Sequence, residues 1–210
     1  MKPRSKRRSF VSASTAVVSL LAGAVLVAQQ PAAMTVREQA RETGSFERVV
    51  ISESDPLQLA DLVVGADLIV EASTAGAEGR MNRAETDIYT DYPFELHAVL
   101  KNSRRPEVRP SGVITVRRDS GVVFVDGRMV VAQENDFPLF EPGEHYILFL
   151  TKLPRENAYS VFGGPQGAFI SVQGHLKQLS IEFGELTHKR GTLARAAFLD
   201  EVRALLRFSS

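Results

Sequence analysis

The spacing of apolar residues predicts a mainly β domain: a small barrel, closed or partly closed, with a short helix before it and a longer helix packed on it afterwards. Three observations carry this expectation. Residues 88–100 alternate, with Ile88, Thr90, Tyr92, Phe94, Leu96, Ala98 and Leu100 on one face and Tyr89, Asp91, Glu95 and His97 on the other, which is the period of a half-buried strand. Shorter apolar runs surround this stretch, cut by turns rich in Gly and Pro, as in all-β domains. Helical spacing appears at both ends of the domain, around 57–64 and 193–206. A sandwich of two sheets has the same periodicity. One very long strand among short ones favours the barrel.

Each element has its own reason. Ser54-Asp55-Pro56 reads as a helix start, a capping side chain followed by proline in the first turn. Leu57, Leu59, Ala60, Val63 and Val64 follow, and Gly65 stops the helix. Residues 67–72 form a first strand and 75–84 a loop. Within 88–100, Pro93 lies on the outer face and has no N–H for a ladder, so an edge or a bulge is expected there. Residues 103–111 read as a loop and 112–118 as a strand. Asp126-Gly127 between 122–125 and 128–132 is a two-residue hairpin signal. The stretch 135–143 is a loop, and 145–151 is apolar enough for a central strand. Residues 159–162 and 168–172 are expected to pair around the glycine-rich 163–167. Gln173-Gly174 turns into a strand at 175–179. From Thr192 a helix carries a stripe of Leu193, Ala196, Ala197, Leu199, Val202, Leu205 and Leu206, expected against the barrel.

The N-terminus has a different character. Residues 1–8 are basic, 10–28 apolar, and Gln29-Gln30-Pro31 polar, the order of a secretory signal. Cleavage is expected after Ala28, with Ala22-Gly23-Ala24 as a rival. Lys6-Arg7-Arg8-Ser9-Phe10-Val11 resembles a twin-arginine signal. An uncleaved anchor is the alternative, since 11–28 approaches the length of a membrane span. Either way the domain is expected outside the cytoplasm: periplasmic, secreted or tethered to the cell surface. Residues 29–54 read as a flexible tether, with a short strand near Val49-Val50-Ile51, and 55–210 as the domain.

Composition narrows the chemistry. The 210 residues hold 25 basic and 25 acidic side chains and no cysteine. Lys2, Arg4, Lys6, Arg7 and Arg8 belong to the leader, which leaves 20 basic against 25 acidic residues, a balance of about −5. A mildly acidic domain has no electrostatic footprint for nucleic acid, and Arg104-Arg105 reads as a solvated loop. Without cysteine there is no disulfide, no thiolate ligand or nucleophile, and no lipidated N-terminal cysteine. His97, His145, His175 and His188 are scattered, with neither an i, i+4 pair nor HExxH, so no metal and no cofactor is expected. No GxSxG elbow is present; Ser111-Gly112 and Ser120-Gly121 read as turns. Glu85 and Asp87 are the carboxylates that could share a strand face, and Asp200-Glu201 lies on the solvated side of the last helix. No catalytic residue is expected. Tyr89 and Phe137 are the candidates for a contact surface, although Phe137 and Phe140 also suit a plug at the end of the core.

The segments Ala66-Asp67-Leu68-Ile69-Val70-Glu71, Thr86–Phe94, Val99-Leu100-Lys101-Asn102, Ile114-Thr115-Val116, Phe140–Leu150 and Gly164–Phe169 together resemble a widespread group of exported bacterial proteins of uncharacterised function. Their order is also similar to the netrin/TIMP-type OB-fold: an "alanine-aspartate" first strand, a long second strand ending in a lysine turn, and a glycine-glutamate before an apolar strand. The resemblance implies an OB-like barrel. TIMP inhibitors chelate the protease zinc through an N-terminal cysteine, which this chain lacks.

These readings converge on an exported, non-enzymatic binding or protein-interaction module with an extracytoplasmic protein partner. An inhibitor or accessory factor of an extracytoplasmic protease is the alternative. An unrecognised hydrolase would require polar groups converging on a pocket.

Overall fold

Residues 34–43, 47–50, 55–103, 107–134, 136–180 and 193–208 are described by the computed structural model. The leader, Arg104-Arg105, His188 and Thr192 lie outside the described residues. The chain runs α1 (Val36–Thr43), β1 (Glu47–Val50), α2 (Leu59–Gly65), β2 (Leu68–Thr74), β3 (Glu78–Met81), β4 (Ile88–Asn102), β5 (Val113–Arg118), β6 (Gly121–Val125) and β7 (Arg128–Glu134). It continues through β8 (His145–Lys152), β9 (Tyr159–Val161), a 3-10 turn (Gly164–Gly167), β10 (Ala168–Val172), β11 (His175–Gln178), β12 (Leu193–Ala194) and α3 (Arg195–Phe208).

Strands β8, β2, β4, β5 and β9 pair in that order. β9 then pairs back onto β8 through Leu150↔Val161, Thr151↔Ser160 and Lys152↔Tyr159. This closes a five-stranded barrel and rules out the sandwich. The β5–β9 contact is parallel and the other four are antiparallel. Counted along the chain, the five barrel strands follow the order 1-2-3-5-4-1, the Greek-key closure of an OB-like barrel.

The alternation of β4 fills this barrel. Tyr92, Phe94 and Leu96 are buried inside with Leu68, Val70, Ala72, Ile114, Val116, Tyr146, Leu148, Leu150, Phe137 and Phe140. The strict alternation ends beyond Leu96. Register shifts against β2 add a residue on β4 near His97 and again near Leu100. Val99 therefore packs on the barrel interior, and Leu100 on the helix-covered wall, reversing the expected faces. Two bulges also bend the strand, as closing a small barrel requires. Pro93 pairs with Thr115 of β5. On its other side the partner of β4 changes from β2, whose last pair is Thr74↔Phe94, to β3, whose pairing starts at Asp91. The missing N–H falls near that change of partner.

The outer wall at β2, β8 and β10 is apolar where helices cover it. Ile69, Ile147, Phe149 and Phe169 pack against Leu59, Leu62 and Val63 of α2 and Phe198, Leu199 and Val202 of α3. The buried stripe of α3 thus contains Phe198, whereas Ala196 and Ala197 are exposed. Helix α2 begins later than its Ser-Asp-Pro signal. Gln58 is its N-cap in a capping box with Asp61, because Gln166 holds the preceding segment extended by accepting from Leu57 N and donating to Asp55 O. At the other end of α2, Lys101 Nζ donates to Val63 O at 2.8 Å and Val64 O at 3.1 Å, capping carbonyls that lack partners. Burial lowers the pKa of this lysine, with the Asp67 carboxylate opposing the shift.

Three further expectations are corrected. Segments 159–162 and 168–172 do not pair with each other; β9 and β10 follow one another along the same edge of β8. Gly163 at φ +70° and Gly164 at φ +57° open the 3-10 turn that carries the chain forward instead of reversing it. The loop expected at 75–84 contains β3, paired to β4 from Glu78↔Asp91 to Met81↔Ile88. Residues 36–43, read as part of a tether, form α1, whereas the short strand expected near Val49-Val50-Ile51 is present as β1, with Ile51 outside the described residues.

Helix α1 belongs to an annexe beside the barrel. β1, β7 and β6 form a separate three-stranded sheet. Val36 and Ala40 of α1 pack with Val123, Val125, Val130 and Ala132 of that sheet and with Ile88 of β4. The β6–β7 hairpin turns at Asp126 (φ +51°) and Gly127 (φ +79°), the two positive φ values of a type I′ turn. Its outer face leaves Val122, Phe124 and Met129 exposed.

Candidate functional site

Two concave regions lie on different parts of the barrel wall: one on β4 and β5, the other on β8, β2 and β4. The first is a groove of about 440 Å³ lined by Asn82, Asp87, Ile88, Tyr89, Arg117, Asp119, Ala132, Leu153 and Glu156. The second and third barrel strands supply Tyr89 and Arg117. The connection between the first two barrel strands supplies Asn82 and Asp87, and the connection between the last two supplies Leu153 and Glu156. OB-type barrels bind ligands on this face, between these two loops.

The groove is rigidly built. Arg117 forms a two-pronged bond to Asp91, Nε to Oδ1 at 2.7 Å and Nη2 to Oδ2 at 2.9 Å. Its Nη1 donates to Glu156, joining β5 to the loop before β9. The hydrogen bond to Asp91 raises the guanidinium pKa against the opposing effect of burial. The Arg117 guanidinium carbon lies 3.8 Å from the centre of the Tyr89 ring, a cation–π contact. Asn82 braces the turn before β4, accepting from Thr86 N at 2.9 Å and donating to Asp87 Oδ2 at 3.2 Å. Among the described residues lining the groove, Asp87, Asp119 and Glu156 outnumber the single cation Arg117. The surface therefore suits polar or cationic groups and opposes polyanions.

Tyr89 thus lies in the groove. Phe137 does not: it is 4% exposed and part of the barrel core. Arg118 explains why. Its side chain is 2% exposed and paired with Glu134 at 2.9 Å. It donates to Phe137 O and Pro138 O, and its guanidinium carbon sits 3.5 Å from the Phe137 ring centre. Burial lowers the pKa of this arginine, with Glu134 opposing. Glu85 and Asp87 do not share a strand face. Both lie in the turn before β4, where Glu85 pairs with Arg37 at 3.0 Å.

The second region is a cleft of about 470 Å³ lined by Glu71, Ala72, His97, His145, Tyr146, Ile147, Ser171, Gln173, Gly174 and Arg195. Here the outer wall emerges from under the helices, and the outward residues of β2 and β8 change from Ile69 and Ile147 to Glu71, Ser73 and His145. His97 and His145, 48 positions apart, bring their ring centres to 5.0 Å with planes at 40°. Ser73 Oγ lies 2.9 Å from His97 Nε2. Glu71 pairs with Arg195 at the start of α3. The histidines are therefore not all isolated, as their spacing implied. No local signal marks the pair, because strand pairing across β2 creates it. Ser73 lies within a strand that pairs on both sides, with His145 on β8 and Glu95 on β4. Ser73 therefore stands in a regular paired strand and not on the sharp turn that exposes a hydrolase nucleophile. Among the described residues, no group of three or more His, Cys, Asp or Glu is placed to hold a metal ion, and no helix is long and apolar enough to cross a membrane.

The fold and groove together define an OB-like barrel with an acidic, aromatic-floored depression across its second and third strands. The chain matches no known protein-family model and no curated protein.

Proposed function

We propose that this chain is an exported, non-enzymatic binding module that holds an extracytoplasmic protein partner in the Tyr89–Arg117 groove. The single observation behind this reading is the position of the groove, on the second and third barrel strands between the two loops used by OB-type barrels. Its charge favours a partner segment that presents basic or polar side chains. Export rests on the basic, apolar and polar order of residues 1–31.

The test is affinity capture from the organism's envelope fraction with the domain from about residue 29 onward. A partner retained by the wild-type domain and by Phe124→Ala, but lost with Tyr89→Ala and Arg117→Ala, supports the proposal. Capture indifferent to Tyr89 and Arg117 moves the site elsewhere. Steady, substrate-specific turnover by the purified protein contradicts the non-enzymatic reading.

A further inference from the structure

The geometry points to a two-imidazole site for a first-row transition cation such as Zn2+, Ni2+ or Cu2+, formed by His97 and His145 over Ser73. Three observations build it. First, the rings project from strands on either side of β2 and meet with centres 5.0 Å apart. Two imidazoles sharing one tetrahedral cation, at about 2.0–2.1 Å per nitrogen, have ring centres about 5 Å apart. The spacing of the ring centres thus matches that of two imidazoles on a shared ion.

Second, Ser73 Oγ occupies the Nε2 side of His97 at 2.9 Å. Metal-binding histidines characteristically donate their other ring N–H to an oxygen, which fixes the tautomer and orients the ring. In the tautomer that donates Nε2–H to Ser73, the lone pair of His97 is on Nδ1 and can coordinate a cation. Ser73 is a positioning residue here and not a ligand.

Third, the cleft imposes little electrostatic cost. Its one carboxylate, on Glu71, is paired with its one guanidinium, on Arg195, so the imidazoles face a nearly neutral floor. Two ligands leave the remaining coordination positions open to water or to a donor from another molecule. Nitrogen ligands select borderline cations over Ca2+ and Mg2+, which require oxygen.

The test uses the full chain without an affinity tag, titrated calorimetrically with ZnCl2, NiCl2 and CaCl2. Saturable binding of one Zn2+ or Ni2+ per chain is expected, with no response to Ca2+. His97→Ala and His145→Ala should each weaken binding at least about tenfold, and Ser73→Ala by about tenfold. Both imidazoles are solvent-exposed, so circular dichroism should show all three variants folded. Should a variant misfold, imidazole resonances of the wild-type chain give the second measurement: Zn2+ should shift those of His97 and His145 and leave His175 in place. Absence of saturable binding, undiminished binding in both histidine variants, or shifts confined to other histidines would overturn the site.

Discussion

The barrel interior and the annexe beside it are two cores of one chain with different packing. The barrel is aromatic: Phe140 meets Tyr92, Phe94, Phe137 and Tyr146 edge-to-face, with ring centres 5.0–5.6 Å apart. The annexe is aliphatic, built from Val36, Ala40, Ile88, Val123, Val125, Val130 and Ala132. The barrel closes its hydrogen-bonding ring on itself. The annexe sheet is open, and its helix is pinned by exposed ion pairs, Arg37 with Glu85 and Asp126, and Arg41 with Asp126. A closed sheet has no edge to fray, whereas an open sheet with a short helix depends on its few buried valines and on charges that solvent screens. The groove sits across this division, with Tyr89 and Arg117 on barrel strands and Ala132 on the annexe. Its shape therefore depends on both cores.

The largest expected effect comes from the aromatic hub. Phe140→Ala should cost about 3–5 kcal/mol, measured by denaturant unfolding, with amide-exchange protection falling throughout the barrel. A small loss would mean that the neighbouring rings collapse into the space and that the edge-to-face cluster is not the organising contact. Next is Arg118→Ala, which strips Glu134 of its partner and frees the carbonyls of Phe137 and Pro138. It should cost about 3 kcal/mol and lower protection in segment 136–140 ahead of the rest. Val130→Ala, in the aliphatic core, should cost about 2 kcal/mol. It should raise exchange in α1, β1, β6 and β7 while sparing the barrel. Uniform loss everywhere would show that the two cores unfold as one unit.

The smallest effect concerns pH. Hydrogen bonds and charge from Arg37 and Arg41 lower the pKa of Glu85 and Asp126, and hydrogen bonds from Thr35 lower that of Glu38. A depressed carboxylate contributes stability that is complete above its unfolded-state pKa and lost as pH falls through the folded-state value. Acid should therefore loosen α1 before the barrel, seen as faster exchange in residues 36–43 at low pH while β2, β4 and β8 stay protected. The Arg37→Gln variant should exchange faster there even at neutral pH, with little change in overall melting temperature.

Much of the architecture was legible because it follows from local periodicity. Tyr92, Phe94 and Leu96 announced a buried face; Asp126-Gly127 announced a two-residue hairpin; 145–151 announced a central strand. The candidate site was less legible. Tyr89 could be placed on an outer face, but neither Arg117 above it nor the loop carrying Glu156 could be joined to it from spacing. Phe137 was ambiguous until Arg118, 19 positions earlier, was seen beneath its carbonyl. Helix α1 escaped detection because only Val36 and Ala40 mark its buried face, too few for a stripe.

The amino-acid order alone determined the buried face of Tyr92, Phe94 and Leu96 and the hairpin at Asp126-Gly127, since these depend on side-chain identity and on contacts a few residues away. Closure of β9 onto β8, the register shifts that reverse Val99 and Leu100, the meeting of His97 with His145, and the burial of Arg118 were decided only in three dimensions. Each joins residues far apart along the chain, and their proximity depends on how the whole sheet curls and not on any local preference.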